Sequence, residues 1–246
     1  MTASRAPLTR DSLRVKIAVQ RVRLAGTEYR VIRPARPLRN GVLYKTSSAL
    51  GSSHYEMYVD RTDGRRIGTL WLLAARSPRS LVYLPLRNTA PIEPIVDDGQ
   101  PLDLVLAPRT MQLRPSRWKR IREHLNAGNA ARELRTASVP ERDLPDLEAD
   151  YIIPDNPKEA NKFLFRKDVY AETLLLTGGT AAFREGAKKI FAVTKDGPPA
   201  AATGLYLPVG CNYHVCRVIY DWDLTPNLRD WEQLHVAFCP QWVRRR

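Results

Sequence analysis

LRVKIAVQRVRL, Leu13–Leu24, is the stretch on which the fold turns. Leu13, Val15, Ile17 and Val19 alternate with Arg14, Lys16 and Ala18, the period of a β-strand with one buried face. After Gln20 the apolar positions become Val22 and Leu24. One extra residue at that point would be a β-bulge, which would re-aim Arg21 and Arg23. The next stretch, YRVIRPARPLRNG, carries Arg30, Arg33, Arg36 and Arg39 with Pro34 and Pro37. It excludes a regular helix and predicts an extended basic loop. HYEMYVDRTDGRRIGTLWLLAA reads as a hairpin, with Asp63-Gly64 at its turn. SLVYLPL and PLDLVLAP add two strands, so residues 1–110 are expected to be mostly β.

A helix is predicted next, in LRPSRWKRIREHLNAGNAARELRTA, Leu113–Ala137. Pro115 suits its start, and Trp118, Ile121 and Leu125 form one narrow apolar stripe. Arg117, Arg120, His124 and Arg135 flank that stripe. A stripe this narrow suits a helix that rests lightly on a core and projects from it, with Gly128 bending or breaking it. NPKEANKFLFRKDVYAETLLL reads as a second helix that TGGT ends, and AAFREGAKKIFAV as a third helical piece or a helix running into a strand. GLYLPVGCNYHVCRVIYDW and QLHVAFCPQWV return to β. The predicted class is α+β: an antiparallel-sheet body with an inserted basic helical segment. Residues 1–110 form a β-rich part, 111–150 a basic helical finger with an acidic linker, and 151–246 an α+β part with a basic tail.

Charge narrows the partners. Lys and Arg number 39 against 26 Asp and Glu, a net charge of +13 over 246 residues. Such a balance favours polyanions. Arginine dominates, and its planar fork fits phosphate bidentately and stacks on bases. A GC-rich genome would favour Arg over Lys but would not produce the net charge. The cations cluster at Arg14–Arg39, at Arg114–Arg122 and at Arg244, Arg245 and Arg246, with Trp118 and several tyrosines interleaved. Cations beside aromatic faces equip a protein for single-stranded or folded RNA, and His124 on the basic flank of the helix could contact phosphate. A basic surface with no partner is the plain alternative. No apolar run approaches the roughly 18 residues that span a bilayer, and the N-terminus lacks a signal-peptide core. The odd count of three cysteines argues against a disulfide framework. These features predict a cytoplasmic protein with no membrane partner.

Motif chemistry is sparse. Cys211, His214, Cys216 and Cys239 are four potential zinc ligands, but strand alternation would put Cys211 and Cys216 on opposite faces. Neither a metal site nor a cofactor is expected. LLLTGGTAAFREG lacks the ending of a phosphate-binding P-loop. Among the four histidines, His54 is the candidate general acid or base, while His214 and His235 read as structural.

A first strand ending in Arg21 and Arg23, an Arg-rich continuation, a β-rich body and a basic helical interruption stand together here. In this layout the chain resembles the CRISPR RNA-processing endoribonucleases of the RAMP superfamily, most of all the type IV system enzyme with its Arg-rich helical finger. The resemblance covers most of the chain and rests on layout. It implies a ferredoxin-like (RRM-like) body and a metal-independent endoribonuclease. Such an enzyme binds a CRISPR repeat hairpin, cuts precursor RNA by 2′-hydroxyl attack and stays on its product with other ribonucleoprotein subunits. On that reading Arg23, Arg36, Arg39 and His54 are catalytic. Arg14, Arg21, Arg33, Arg114, Arg117, Trp118, Lys119, Arg120, Arg122, His124 and Arg244–Arg246 bind RNA. There are two departures: GLYLPVG matches the superfamily's Gly-rich loop weakly, and no histidine precedes His54. A non-catalytic RNA-binding subunit and a general basic nucleic-acid binder are the alternatives.

Overall fold

The computed structural model describes residues 13–47, 53–89, 99–140, 143, 146–147, 156–202, 215–222 and 232–242. It is a mixed α+β structure. In chain order the elements are β1 (Arg14–Leu24), β2 (Thr27–Pro34), β3 (Gly41–Ser47), β4 (Ser53–Val59), α1 (Arg61–Arg76), β5 (Ser80–Leu84), β6 (Gln100–Pro101) and β7 (Asp103–Pro108). There follow α2 (Trp118–Asn126), β8 (Glu133–Ser138), α3 (Pro157–Ala160), β9 (Arg166–Val169), β10 (Thr173–Gly178), α4 (Thr180–Ala202), β11 (Cys216–Asp221) and β12 (Gln233–Phe238).

One sheet has seven strands in the order β8-β1-β2-β5-β7-β10-β9, and the other has five in the order β11-β12-β4-β3-β6. In the larger sheet β2 and β5 run parallel, as do β7 and β10, and in the smaller sheet β12 and β4 run parallel, so both sheets are mixed and not the antiparallel body expected; the remaining neighbours are antiparallel. The crossover from β2 to β5 carries α1, and the crossover from β7 to β10 carries α2. The main core lies among one face of the large sheet, α1, α4 and one face of the small sheet. A second core fills the space between the other face of the large sheet and α2. A small third cluster, Val42, Tyr44, Tyr58, Ala237 and Cys239, sits on the outer face of the small sheet.

Several expectations are corrected. β1 has no bulge: its pairing with β2 runs without interruption from Ile17↔Pro34 to Leu24↔Thr27. The alternation shifts because the cover changes. Val15, Ile17 and Val19 lie in the main core, whereas Val22, further along and on the opposite face, lies in the core under α2. Between them Ala18 and Gln20 are buried as well. The first part of the expected basic loop, Tyr29 to Pro34, is instead strand, in β2, which turns back from β1 through Ala25 (φ 47°) and Gly26 (φ 78°). Two consecutive positive φ angles are the geometry of a tight hairpin turn.

The predicted hairpin at Asp63-Gly64 is instead β4 followed by helix α1. Asp60 caps that helix, its carboxylate accepting the Asp63 N–H at 2.6 Å. Gly64 belongs to packing and not to a turn: a Cβ there would fall 2.4 Å from Cγ2 of Thr194 on α4. Across the same helix pair, a Cβ on Gly186 would fall 2.1 Å from the Trp71 ring.

The second predicted helix is a single turn, α3, and then the hairpin β9–β10. Its turn residues Ala171 (φ 50°) and Glu172 (φ 56°) are left-handed without being Gly, Asn or Asp, so the sequence carries no turn signal there. The third helix is present and longer than expected, and Gly178 ends the strand before it. The segment Leu113–Ala137 is helical only in its first half. Gly128 (φ 75°) ends that part, and residues 133–138 form β8 along β1.

Candidate nucleic-acid interface

Strand β1 organises the basic surface. Arg14 and Lys16 are exposed on the face that α2 covers further along, and Arg21 and Arg23 are exposed on the face that α1 covers earlier. The strand thus presents cations along about 30 Å of its length, at about 3.3 Å per residue. Arg33, half-buried on β2, lies on the same face as Ala18, its pairing partner. Arg132 crosses that face and donates to the Ala35 carbonyl at 3.1 Å. Burial and the neighbouring charge of Arg132 lower the pKa of Arg33. Burial, then the charges of Arg135 and Arg21, do the same to Arg30. At both places burial is the larger cause and the neighbouring positive charge the smaller.

The hairpin end of β1 holds a cleft of about 670 Å³ lined by Arg21, Arg23, Glu28, His124, Asn129 and Glu133, among others. It exists because β8 pairs with β1 only as far as Val19↔Glu133. Beyond that point the chain of β8 diverges towards α2, held by Gln20 donating from Nε2 to the Ala130 carbonyl at 2.8 Å. Two predicted RNA-binding residues, Arg21 and His124, and one predicted catalytic residue, Arg23, meet here. Both arginines pair with Glu28, at 2.7 Å from Arg21 and 3.3 Å from Arg23. These hydrogen bonds hold the Glu28 carboxyl below its usual pKa.

Other predicted site residues lie elsewhere. Arg36 and Arg39 follow the far end of β2, about 23 Å along the strand from the Arg23 end. Their side chains are exposed, and their backbone is fastened to α1. Asp63 accepts from the Arg39 and Asn40 N–H groups at 2.7 and 2.9 Å, and Arg66 donates to the Arg36 carbonyl at 2.9 Å. The structure therefore does not bring Arg36 and Arg39 to Arg23. His54 lies on β4, on the outer face of the small sheet, with Nε2 3.2 Å from Glu56.

On α2 the cations divide. Arg114, Lys119 and Arg120 are exposed. Arg117 donates to the Tyr29 hydroxyl at 2.6 Å. Arg122 donates to the Ala171 carbonyl at 2.6 Å and stands 3.7 Å from both Asp103 and Glu172. Trp118 is fully buried: its ring meets Tyr83 edge-on at 5.0 Å, and its Nε1 donates to Thr173 at 2.9 Å. It offers no face for a base. Asp103, 1% exposed, accepts from the Tyr83 hydroxyl at 2.9 Å and stands 3.3 Å from Arg87. Desolvation raises the pKa of Asp103 in spite of these partners. This buried network is what fixes α2 to the sheet. Arg244, Arg245 and Arg246 lie outside the described residues.

Sequence reasoning missed Glu28, Asn129 and Arg132 as members of the surface, and placed Arg135 on the flank of a helix where it lies on β8. Glu28 alone had a signal, as one of two acids opposing ten cations in residues 1–39. Cys216 and Cys239 are not joined in a disulfide, and Cys211 and His214 lie outside the described residues. Among the described residues no group of three or more His, Cys, Asp or Glu is placed to hold a metal. Likewise, no helix among them is long and apolar enough to cross a membrane. Compared with family models, with curated proteins and with solved structures, the chain finds no match.

Proposed function

We propose that the protein is a metal-independent endoribonuclease that binds a CRISPR repeat hairpin, cuts precursor RNA and stays on the product in a cytoplasmic ribonucleoprotein. The observation that carries this reading is the cleft whose lining includes His124, Arg21 and Arg23. The sequence has no histidine before His54, and on this reading His124 of α2 takes that place.

In the reaction the 2′-hydroxyl attacks the adjacent phosphorus in line and His124 accepts its proton. The bond from phosphorus to the 5′-oxygen breaks, and that oxygen leaves with a proton from water. Products are a 2′,3′-cyclic phosphate and a 5′-hydroxyl. Arg21 and Arg23 oppose the charge that builds on the phosphorane. They serve as electrostatic groups and not as bases, because guanidinium does not deprotonate in this range. Arg14, Lys16, Arg33 and Arg132 hold the backbone of the stem, and Arg114, Lys119 and Arg120 extend that grip along α2.

The test is cleavage of a repeat-hairpin RNA in chelator, with both ends mapped. Arg23→Ala and His124→Ala should each slow cleavage about 10²–10⁴-fold, with RNA affinity within a few fold of wild type. Unaltered cleavage in either variant removes the assignment. A second reading, a non-catalytic RNA-binding subunit, is favoured by Glu28, which engages both arginines in the free protein. Binding without cleavage by the wild-type chain would establish it.

A further inference from the structure

Strand β8 ends the large sheet, and among the described residues β1 is its one neighbour there. Five of its six residues are exposed. Leu134, at 67%, is the most exposed large hydrophobic side chain among the described residues. Two hydrogen bonds fix where the backbone groups of this edge point. The Ala35 N–H donates to the Lys16 carbonyl at 2.9 Å, so the even-numbered residues of β1 turn their backbone groups towards β2. The Val139 N–H donates to the Leu13 carbonyl at 3.4 Å, so the odd-numbered residues turn theirs towards β8. In that ladder Ile17 bonds with Arg135, and Val19 with Glu133. The N–H and C=O groups of Leu134 and Thr136 therefore point away from β1, over the open edge. An edge of this kind invites another strand unless it is defended. Defence by charge needs like charges, which repel an incoming copy. β8 carries opposite charges on either side of Leu134, and Arg135 donates to Glu133 within the strand at 2.7 Å. Both of these side chains remain about half exposed, at 54% and 52%.

We propose that this edge pairs with the same edge of a second copy of the chain, antiparallel about a two-fold axis through Leu134. Residues whose backbone faces outward must meet others that face outward, which restricts the register. Centring the pair on Glu133 or on Arg135 opposes two like charges. Centring it on Thr136 leaves Glu133 against Val139. Centring it on Leu134 sets Leu134 against Leu134 and places Glu133 against Arg135 twice. That register joins the outward backbone groups, covers the exposed leucines and neutralises both charges, and a contact of this symmetry closes on itself. The net charge of +13 opposes association of two copies. Salt screens charges more than about 10 Å apart at 0.1 M, so the opposite charges in contact at the edge decide the outcome. Pairing would join the two large sheets edge to edge and set their β1 strands about 14 Å apart, three strand spacings. Arg14 and Lys16 of both copies would then lie on one face, since each shares its face with its partner on β8. The pairing stands independently of the RNA reading.

The test is sedimentation velocity of the full chain, stripped of nucleic acid, from about 1 to about 100 μM. Wild type should pass from monomer to dimer over that range. Leu134→Pro removes an N–H that the ladder with β1 does not use, at an edge position where proline is tolerated. It should weaken association about tenfold or more. Glu133→Arg and Arg135→Glu should each weaken it about tenfold by setting like charges against one another. The double variant carrying both changes should return to within about threefold of wild type. Circular dichroism and melting curves identify any variant that fails to fold, and the charge exchange tests the register even where the proline variant does. A wild-type chain that stays monomeric overturns the proposal and leaves the edge to a different protein. So does a dimer indifferent to Leu134→Pro, or a double variant as weak as the single ones. RNA cleavage enters none of these measurements, so this pairing and the endoribonuclease reading stand or fall separately.

Discussion

Arg122 on α2 and Arg23 on β1 come from two equally basic stretches and do opposite things. Arg122 is turned inward, 12% exposed, against Asp103, Glu172 and the Ala171 carbonyl. Arg23 is 85% exposed, with the exposed Glu28 as its partner. Arg117 and Trp118 follow Arg122 inward, whereas Arg14, Lys16 and Arg21 follow Arg23 outward. A cation count therefore overstates the surface that α2 presents and understates the part it plays in holding the sheet. The helix expected to project as a finger is seated through Trp118, Ile121 and Leu125, all buried.

Substitutions at the two places should separate cleanly. The largest effect belongs to Trp118→Ala, which should cost about 3–5 kcal/mol of stability through the cavity it leaves. Urea denaturation measures it, and a loss under about 1 kcal/mol would show that α2 is not seated as described. Arg122→Ala should cost about 3 kcal/mol, the low end for breaking a buried pair, because Arg87 still faces Asp103. Replacing Arg21 and Arg23 together with alanine should move stability by no more than about 0.5 kcal/mol, since both are surface side chains. The same double variant should reduce the slope of log affinity against log salt by about 0.7–0.9 for each phosphate that is no longer neutralised. An unchanged slope would place the RNA elsewhere.

Smaller effects sharpen the contrast. Glu28→Gln releases both arginines and should raise RNA affinity a few fold. Since its hydrogen bonds lower the Glu28 pKa, the wild-type carboxylate stays ionised near neutral pH and the gain should be flat there. On the small sheet, hydrogen bonds from His54 and Tyr58 hold the Glu56 pKa below its usual 4.5, against desolvation, which acts the other way. An acid with a depressed folded pKa stabilises the fold above its unfolded value and loses that contribution as pH falls through the folded one. Wild type should therefore lose more melting temperature than Glu56→Gln on acidification below about pH 4.5. Parallel curves for the two would remove Glu56 from the pH dependence.

Much of this is readable in the chain. Alternation marks β1, continuous apolar runs mark β5 and β7, which are buried throughout, and the stripe of Trp118, Ile121 and Leu125 marks α2 and its buried side. The misreadings share one cause, which is local punctuation read without its tertiary setting. Gly64 reads as a turn because glycine permits turns, yet here its missing side chain admits Thr194 of a second helix. Ala171 and Glu172 make a turn without a turn residue, and Arg122 and Arg87 bind that turn from other elements. The shift of pattern after Gln20 reads as a bulge only if one strand has one cover, whereas β1 passes from beneath one helix to beneath another.

The sequence by itself determined the α+β class, the positive charge and the residues available for phosphate chemistry. Those follow from composition and from side-chain periods of two and 3.6, which are local properties. Only the tertiary structure decided which cations face solvent, that His124 and Arg23 line one cleft, and that His54 and His235 lie beside one carboxylate. Each of those depends on strand register and helix placement between residues far apart in sequence. Pairing of that kind is set by the burial of whole faces, and no short stretch of chain encodes it.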